Sequence, residues 1–297
     1  MKKLLILGGT GLVGSRVVEL LSSSYQIFAP ESSEVDLTLS GEFEQYYMAH
    51  RKDLVGATVI NFVAYTNVDA AEKERGKEDG IVYRLNTIVP GEVASFCKDL
   101  GERFIHISTE YVFDGEKEDS AYTEEDKVSP LGWYGQTKLL GENLIRAEGA
   151  NTVILRISMP YGSRSERKKD LGRILLERLQ NGQPIQAINN AKISPLFIDD
   201  FSQMLGKVLE MPALEGIYHV GPSDSMTLEE FVRLLAKKAG LSDELVSGIS
   251  FEEYWKEKYE NGAARRPKNS WLDSTVLSKE IGQKFEVIES QISDWLK

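Results

Sequence analysis

Tyr134 and Lys138 stand four residues apart in Trp-Tyr-Gly-Gln-Thr-Lys, so a helix there projects both from one face. A tyrosine hydroxyl ordinarily keeps its proton to a pH of about 10, and an adjacent ammonium lowers that value by favouring the phenolate. The pair is thus a candidate acid or base, although the bare spacing also describes an ordinary surface pair. Ser108-Thr109 falls at the carboxyl end of an expected central strand, where open α/β sheets bind ligands, and adds a hydroxyl suited to a substrate carbonyl.

A second chemistry lies at the start of the chain. Gly8, Gly11 and Gly14 form G-x-x-G-x-x-G directly after an apolar run and open a helical pattern. Glycine lets the backbone approach a pyrophosphate, and the first N–H groups of the helix supply partial positive charge. Together with Thr10, Leu12 and Val13, these residues predict a dinucleotide site. An acid at the end of the second strand would favour NAD and a base NADP, but Pro30, Glu31, Ser32 and Ser33 offer neither cleanly. Arg16 reads either as a partner for a 2′-phosphate or as a solvated helix residue. NADPH and NADH both stand as expected cofactors.

The elements that must carry these groups alternate. Lys3–Leu7, Gln26–Ala29, Thr58–Phe62, Phe104–Ser108 and Thr152–Arg156 read as strands, mostly continuous in apolar residues as doubly covered strands should be. Val13, Val17, Leu20 and Leu21 keep helical spacing, and a longer helix runs from about Asp79 to Leu100 with a kink or break at Pro90. The expectation is a Rossmann-type α/β fold: a doubly wound parallel sheet with a smaller, mostly helical substrate-binding lobe. Residues 1–160 form the dinucleotide-binding domain and 184–221 return to it, through 197–211 and a strand at Gly216–Val220. Residues 161–183, with Arg164, Arg167, Lys168 and Lys169, and 222–297, with a capped helix from Thr227 to Gly240, make the lobe.

Composition narrows the partners. Forty-six acidic against 35 basic residues leave a net charge of -11, which argues against nucleic acid. Cys97 stands alone, and His50, His106 and His219 lack metal-ligand spacing, so no disulfide and no metal are expected. No apolar run approaches the roughly 18 residues of a membrane span, and a cytoplasmic location follows as the expectation.

These residues resemble the extended short-chain dehydrogenase/reductases, and within them the dTDP-4-dehydrorhamnose reductases, over nearly the whole chain. The likeness rests on the glycine loop, Ala64-Tyr65-Thr66-Asn67-Val68-Asp69 with Ala71-Glu72, Asn86, and Ser108 to Gly115. It continues through Tyr134 to Lys138 and Arg266-Pro267-Lys268-Asn269-Ser270 with Leu272-Asp273. The resemblance implies that Thr109 orients the substrate carbonyl, Tyr134 protonates the developing alkoxide, and Lys138 bonds the nicotinamide ribose while lowering the tyrosine pKa. It implies that Ala64, Tyr65 and Thr66 line the cofactor. Asn86 either supports that wall or satisfies a buried backbone group. A nucleotide sugar would meet Thr109, Glu110, Val112, Phe113, Tyr134, Met159 and Asn269, and Arg265, Arg266 and Lys268 read either as partners of its pyrophosphate or as solvated surface charge.

Three positions depart from the family pattern. Met159 replaces a tryptophan near the sugar, Glu110 an aspartate, and Arg16 a glutamate that binds magnesium at a dimer interface in some members. Neither metal nor dimer is carried over, and monomer and homodimer both stand. The expected activity is NAD(P)H-dependent reduction of the 4-keto group of a nucleotide-linked 6-deoxy sugar. The alternatives are a reductase or epimerase of another nucleotide sugar, and a dinucleotide-binding regulatory subunit resembling the beta subunit of methionine adenosyltransferase.

Overall fold

The computed structural model describes residues 1–149, 151–163 and 168–297; the expected Arg164 and Arg167 lie outside them. Its strands are β1 (Lys3–Leu7), β2 (Gln26–Phe28), β3 (Thr58–Asn61), β4 (Phe104–Thr109), β5 (Thr152–Ile157), β6 (Ile185–Ile188), β7 (Gly216–Val220) and β8 (Val246–Ile249). Six of them make one parallel sheet in the order β2-β1-β3-β4-β5-β7. The chain reverses its direction of travel across the sheet between β1 and β3, which opens a crevice at their carboxyl ends.

Both faces of the sheet are covered, which is why its strands read as apolar runs. Leu4 and Ile6 point into one core with Val17, Phe201 and Leu205. Leu5 and Leu7 point into the other, with Val89, Val93 and Cys97. The helices that position the site are α1 (Gly14–Leu21), α2 (Val89–Leu100), α3 (Trp133–Glu148), α4 (Leu171–Gln180), α5 (Ile198–Glu210), α6 (Leu228–Ala239) and α7 (Phe251–Glu260), of which α1, α2 and α5 supply the core residues just named. The helix expected from Asp79 to Leu100 runs without interruption from Ile81 to Leu100. Within it Arg84–Ile88 form a wide π turn directly before Pro90, which lacks the N–H that a regular helical bond would use.

A third core holds Tyr161, Leu175, Leu179, Phe231, Leu235 and Ile292. Within it β6 pairs with β8 as a separate parallel ribbon. The expectation that residues 184–221 return to the main sheet therefore starts too early. β6 alternates buried Ile185 and Ala187 with exposed Gln186, the pattern of a strand covered on one face. Only from α5 onward does the chain pack on the main sheet again, and β7 extends it beside β5. α6 begins with the expected cap: Thr227 accepts from the Glu230 amide while the Glu230 carboxylate accepts from the Thr227 amide.

Candidate active site

The carboxyl ends of β1, β3, β4 and β5 open onto a cleft of about 590 Å³. One end is the glycine loop. Gly8 adopts φ +78°, open to glycine without strain, and a Cβ on Gly14 would lie 2.3 Å from the Gly8 carbonyl oxygen. α1 then starts with no side-chain cap and no acid in its first turn, so the partial positive charge of its amino end stands uncompensated beside the loop. Such a cradle fits a dinucleotide pyrophosphate.

Gly8, Thr10, Gly11, Leu12, Val13, Gly14, Ala64, Thr66, Tyr134 and Lys138 all line this cleft. Tyr65 does not; it packs among Ala71, Val82 and Trp133. Asn86 lies behind it, accepting from the Tyr65 amide at 2.8 Å and donating to the Tyr65 carbonyl and to Thr137 Oγ1. It thus does both things expected of it, satisfying buried backbone and holding the cleft wall. Arg16 does neither. It is 6 % exposed and forms a two-point ion pair with Asp199 on α5, with Glu19 as a further partner. A guanidinium so committed is neither solvated nor free for a 2′-phosphate.

The other end of the cleft holds the polar groups. Alternate residues of β4, His106 and Ser108, face α3, where Lys138 and Glu142 stand one turn apart. Lys138 Nζ donates to the Ile107 carbonyl at 2.7 Å and lies 3.0 Å from His106 Nε2. Ser108 donates to Glu142, which also takes both ends of the Arg156 guanidinium from β5. His219 on β7 closes this chain, its Nδ1 bonded to the Tyr122 carbonyl and its Nε2 3.4 Å from Arg156. Burial and Arg156 push the His219 imidazole down to about 3, so it stays neutral.

Tyr134 corrects the expected electrostatics. Burial and the Glu110 carboxyl hold its phenol well above the usual range, while the Thr109 hydroxyl works the other way. Lys138 is turned to His106 and Ile107, and burial lowers it to about 8. Lys138 is not among the groups that shift the tyrosine. Glu110 is itself raised to about 7 by burial, against hydrogen bonds from Thr109 at 2.7 Å and Ser158 at 3.3 Å. The arrangement keeps a neutral phenol, a hydroxyl and a carboxyl together beside the cleft.

Thr109, Glu110, Tyr134 and Met159 line the cleft as expected of substrate contacts. Met159 takes φ +41°, a left-handed backbone that a side chain adopts at a cost, here at the cleft wall. Other expected contacts are elsewhere. Val112 and Phe113 are buried with Tyr122 and Leu272, because the tight turn Glu110–Val112 rotates the chain away from the cleft. Asn269 spends its amide on the Lys192 N–H and the Gly115 carbonyl. Arg266 is paired with Asp69 at two points of 2.8 Å, and Arg265 lies over the Tyr259 ring at 4.3 Å. With Lys268 they line a second cavity of about 910 Å³ beside α7. Sequence reasoning did not single out Asn61, His106, Glu142 or Arg156 as a set; the available signal was their polarity inside otherwise apolar strands and on a buried helix face. Among the described residues no cluster suits a metal ion and no helix is long and apolar enough to cross a membrane.

Comparison with known proteins agrees with this arrangement. A probable low-salt glycan biosynthesis reductase, Agl14, of Haloferax volcanii is 27% identical over 97% of this chain and 95% of its own. A dTDP-4-dehydrorhamnose reductase of Aggregatibacter actinomycetemcomitans is 27% identical over 99% of this chain and 96% of its own. The crystal structure of dTDP-4-dehydrorhamnose reductase from Bacillus anthracis in complex with NADP superposes with a TM-score of 0.87 at 26% identity, covering 99% of each chain. The model of the RmlD substrate binding domain matches residues 1–297, and the chain belongs to that family.

Proposed function

We propose that this protein is an NAD(P)H-dependent reductase of the 4-keto group of a nucleotide-linked 6-deoxy sugar, with dTDP-4-dehydrorhamnose as substrate and dTDP-rhamnose as product. One observation carries the reading. Thr109, Tyr134 and Lys138 reach the same cleft as the glycine loop, so a dinucleotide seated on the loop extends toward the phenol. The names of the relatives support the choice of sugar.

When bound, a reduced nicotinamide dinucleotide supplies the hydride. Thr109 holds the carbonyl oxygen toward Tyr134. As the carbonyl carbon is reduced, the oxygen gains the electron pair of the C=O π bond and takes the phenolic proton of Tyr134. A phenol raised by burial is fully protonated at neutral pH, which is the form a reduction consumes. Lys138, fixed at the cleft floor, meets the nicotinamide ribose and stabilises the phenolate that remains. Positioned acid catalysis of this kind is worth roughly 10²- to 10⁴-fold.

The test is oxidation of NADPH, and separately NADH, with dTDP-4-dehydrorhamnose, followed by near-ultraviolet absorbance with Tyr134→Phe as control. Oxidation that disappears in the variant supports the reading and ranks the cofactors. Dinucleotide binding without turnover would overturn it and favour another nucleotide sugar or a regulatory subunit.

A further inference from the structure

His106 lies between two nitrogen atoms, and the hydrogen bonds around it determine where its proton sits. The Val63 amide donates to Asn61 Oδ1 at 2.9 Å, so the Asn61 oxygen faces Val63 and its NH₂ faces His106 Nδ1 at 3.2 Å. Nδ1 must then accept. A neutral imidazole that accepts at Nδ1 carries its proton on Nε2, which is 3.0 Å from Lys138 Nζ. An ammonium has no lone pair to receive that proton, whereas an amine does, and the amine still donates to the Ile107 carbonyl.

We propose that Asn61 and His106 are positioning residues that favour the amine of Lys138 over its ammonium, so that the lysine changes protonation state just above neutral pH. The other buried histidine shows the opposite arrangement in the same fold. Behind His219 lies the Tyr122 carbonyl, an acceptor, so its proton is on Nδ1 and Nε2 is free to receive the Arg156 guanidinium. Behind His106 lies a donor, and the same logic reverses.

The surroundings of Lys138 agree. Asn61 on β3, His106 on β4 and Lys138 are all fully or almost fully buried, so water does not relieve the contact. On its own helix Tyr134 is a neutral phenol, and Glu142 is the one carboxylate that favours the ammonium. Both oxygens of Glu142 are already bonded to Arg156 on β5, and one also to Ser108 on β4. Glu110, beyond the end of β4, is bonded to Thr109 and Ser158. Burial accordingly lowers Lys138 to about 8, and His106 is held far below its ordinary value by burial and, while the lysine is charged, by its ammonium.

The significance of this device rests on the role proposed above for Lys138, but its test uses the cofactor-free protein and reads no turnover, so the two fail separately. In full-length chain with ¹⁵N-histidine and ¹³C-lysine, NMR reads the proton position on His106 and the titration of Lys138, assigned with His106→Gln and Lys138→Met. The expected result is a lysine midpoint near 8 and, at a pH above it, a proton on Nε2 with a bare Nδ1. Asn61→Asp puts an acceptor behind Nδ1, moves the proton there, and raises the Lys138 midpoint by about one pH unit or more. A proton on Nδ1 in the unaltered protein, or the same midpoint with and without Asn61→Asp, overturns the proposal. If the buried aspartate prevents folding, His106→Gln decides, because its amide oxygen can receive an ammonium: the midpoint rises if the proposal holds and stays put if it does not.

Discussion

Arg156 meets Glu142 at two points behind the cleft, Nε to Oε1 at 3.0 Å and Nη2 to Oε2 at 2.7 Å, with both side chains almost wholly out of solvent. The pair ties the carboxyl end of β5 to the helix that carries Tyr134 and Lys138. Arg156→Met leaves the Glu142 carboxylate buried with only Ser108, and the expected loss of stability is about 3–5 kcal/mol. Urea unfolding measures it. Adding Glu142→Leu removes the stranded charge and recovers most of the loss; a double variant no more stable than the single one would show that the pair itself, not the uncompensated charge, sets the cost.

Glu110 makes stability depend on pH in a direction opposite to the usual carboxylate. Its folded value, about 7, lies above the ordinary 4.5, so the folded state keeps a proton that the unfolded chain releases. Its contribution is complete below about 4.5 and falls as pH rises to about 7, by a total of about 3 kcal/mol. Glu110→Gln removes this slope, so the stability difference between the two proteins should widen across that window and level off above it. A constant difference from pH 4.5 to 7 would rule the effect out. Activity should follow the same group. An ionised Glu110 takes the single proton of Thr109, while a protonated one leaves that hydroxyl free to donate to a carbonyl, so kcat/KM declines above pH 7 and the decline is absent in Glu110→Gln.

How far the sequence discloses this site depends on the distance over which each partner is chosen. The strands follow from their apolar runs, and the glycine loop follows from three positions within one turn, because both are local. Arg266 and Asn269 are expected from the sequence as substrate contacts, yet their hydrogen bonds go to Asp69, Lys192 and Gly115. Those pairings are made by the folded chain across long separations. His106 and Lys138 meet for the same kind of reason: the alternation of β4 and the turn of α3 each place a side chain on the shared face, and only the packing of strand against helix brings them within 3.0 Å. Val112 and Phe113 show the converse, since one tight turn after β4 sends neighbours of Thr109 into a core.

Gly14→Ala tests the loop directly. The added methyl would lie 2.3 Å from the Gly8 carbonyl oxygen, which neither backbone segment can relieve without changing the loop. Dinucleotide affinity, measured by quenching of protein fluorescence with NADPH, should fall about tenfold or more, because the N–H groups that face the pyrophosphate move with the loop. Far-ultraviolet circular dichroism should remain that of a folded protein. Unchanged affinity in a folded variant would remove the loop from the cofactor site.

Arg16 is expected to matter for stability and not for the choice between the two nicotinamide cofactors. Its guanidinium is bound at two points by Asp199, 2.6 Å each, which joins α1 to α5 across one face of the sheet. Arg16→Ala frees a carboxylate that is 22 % exposed, so water recovers part of the cost and a loss of about 1–3 kcal/mol is expected. The ratio of NADPH to NADH dissociation constants should stay within about twofold, since a guanidinium held by a carboxylate has little to offer a 2′-phosphate. Should NADPH alone weaken by about tenfold, Arg16 would have to leave Asp199 when the cofactor binds, and the ion pair would then be a resting position of the residue that reads the phosphate.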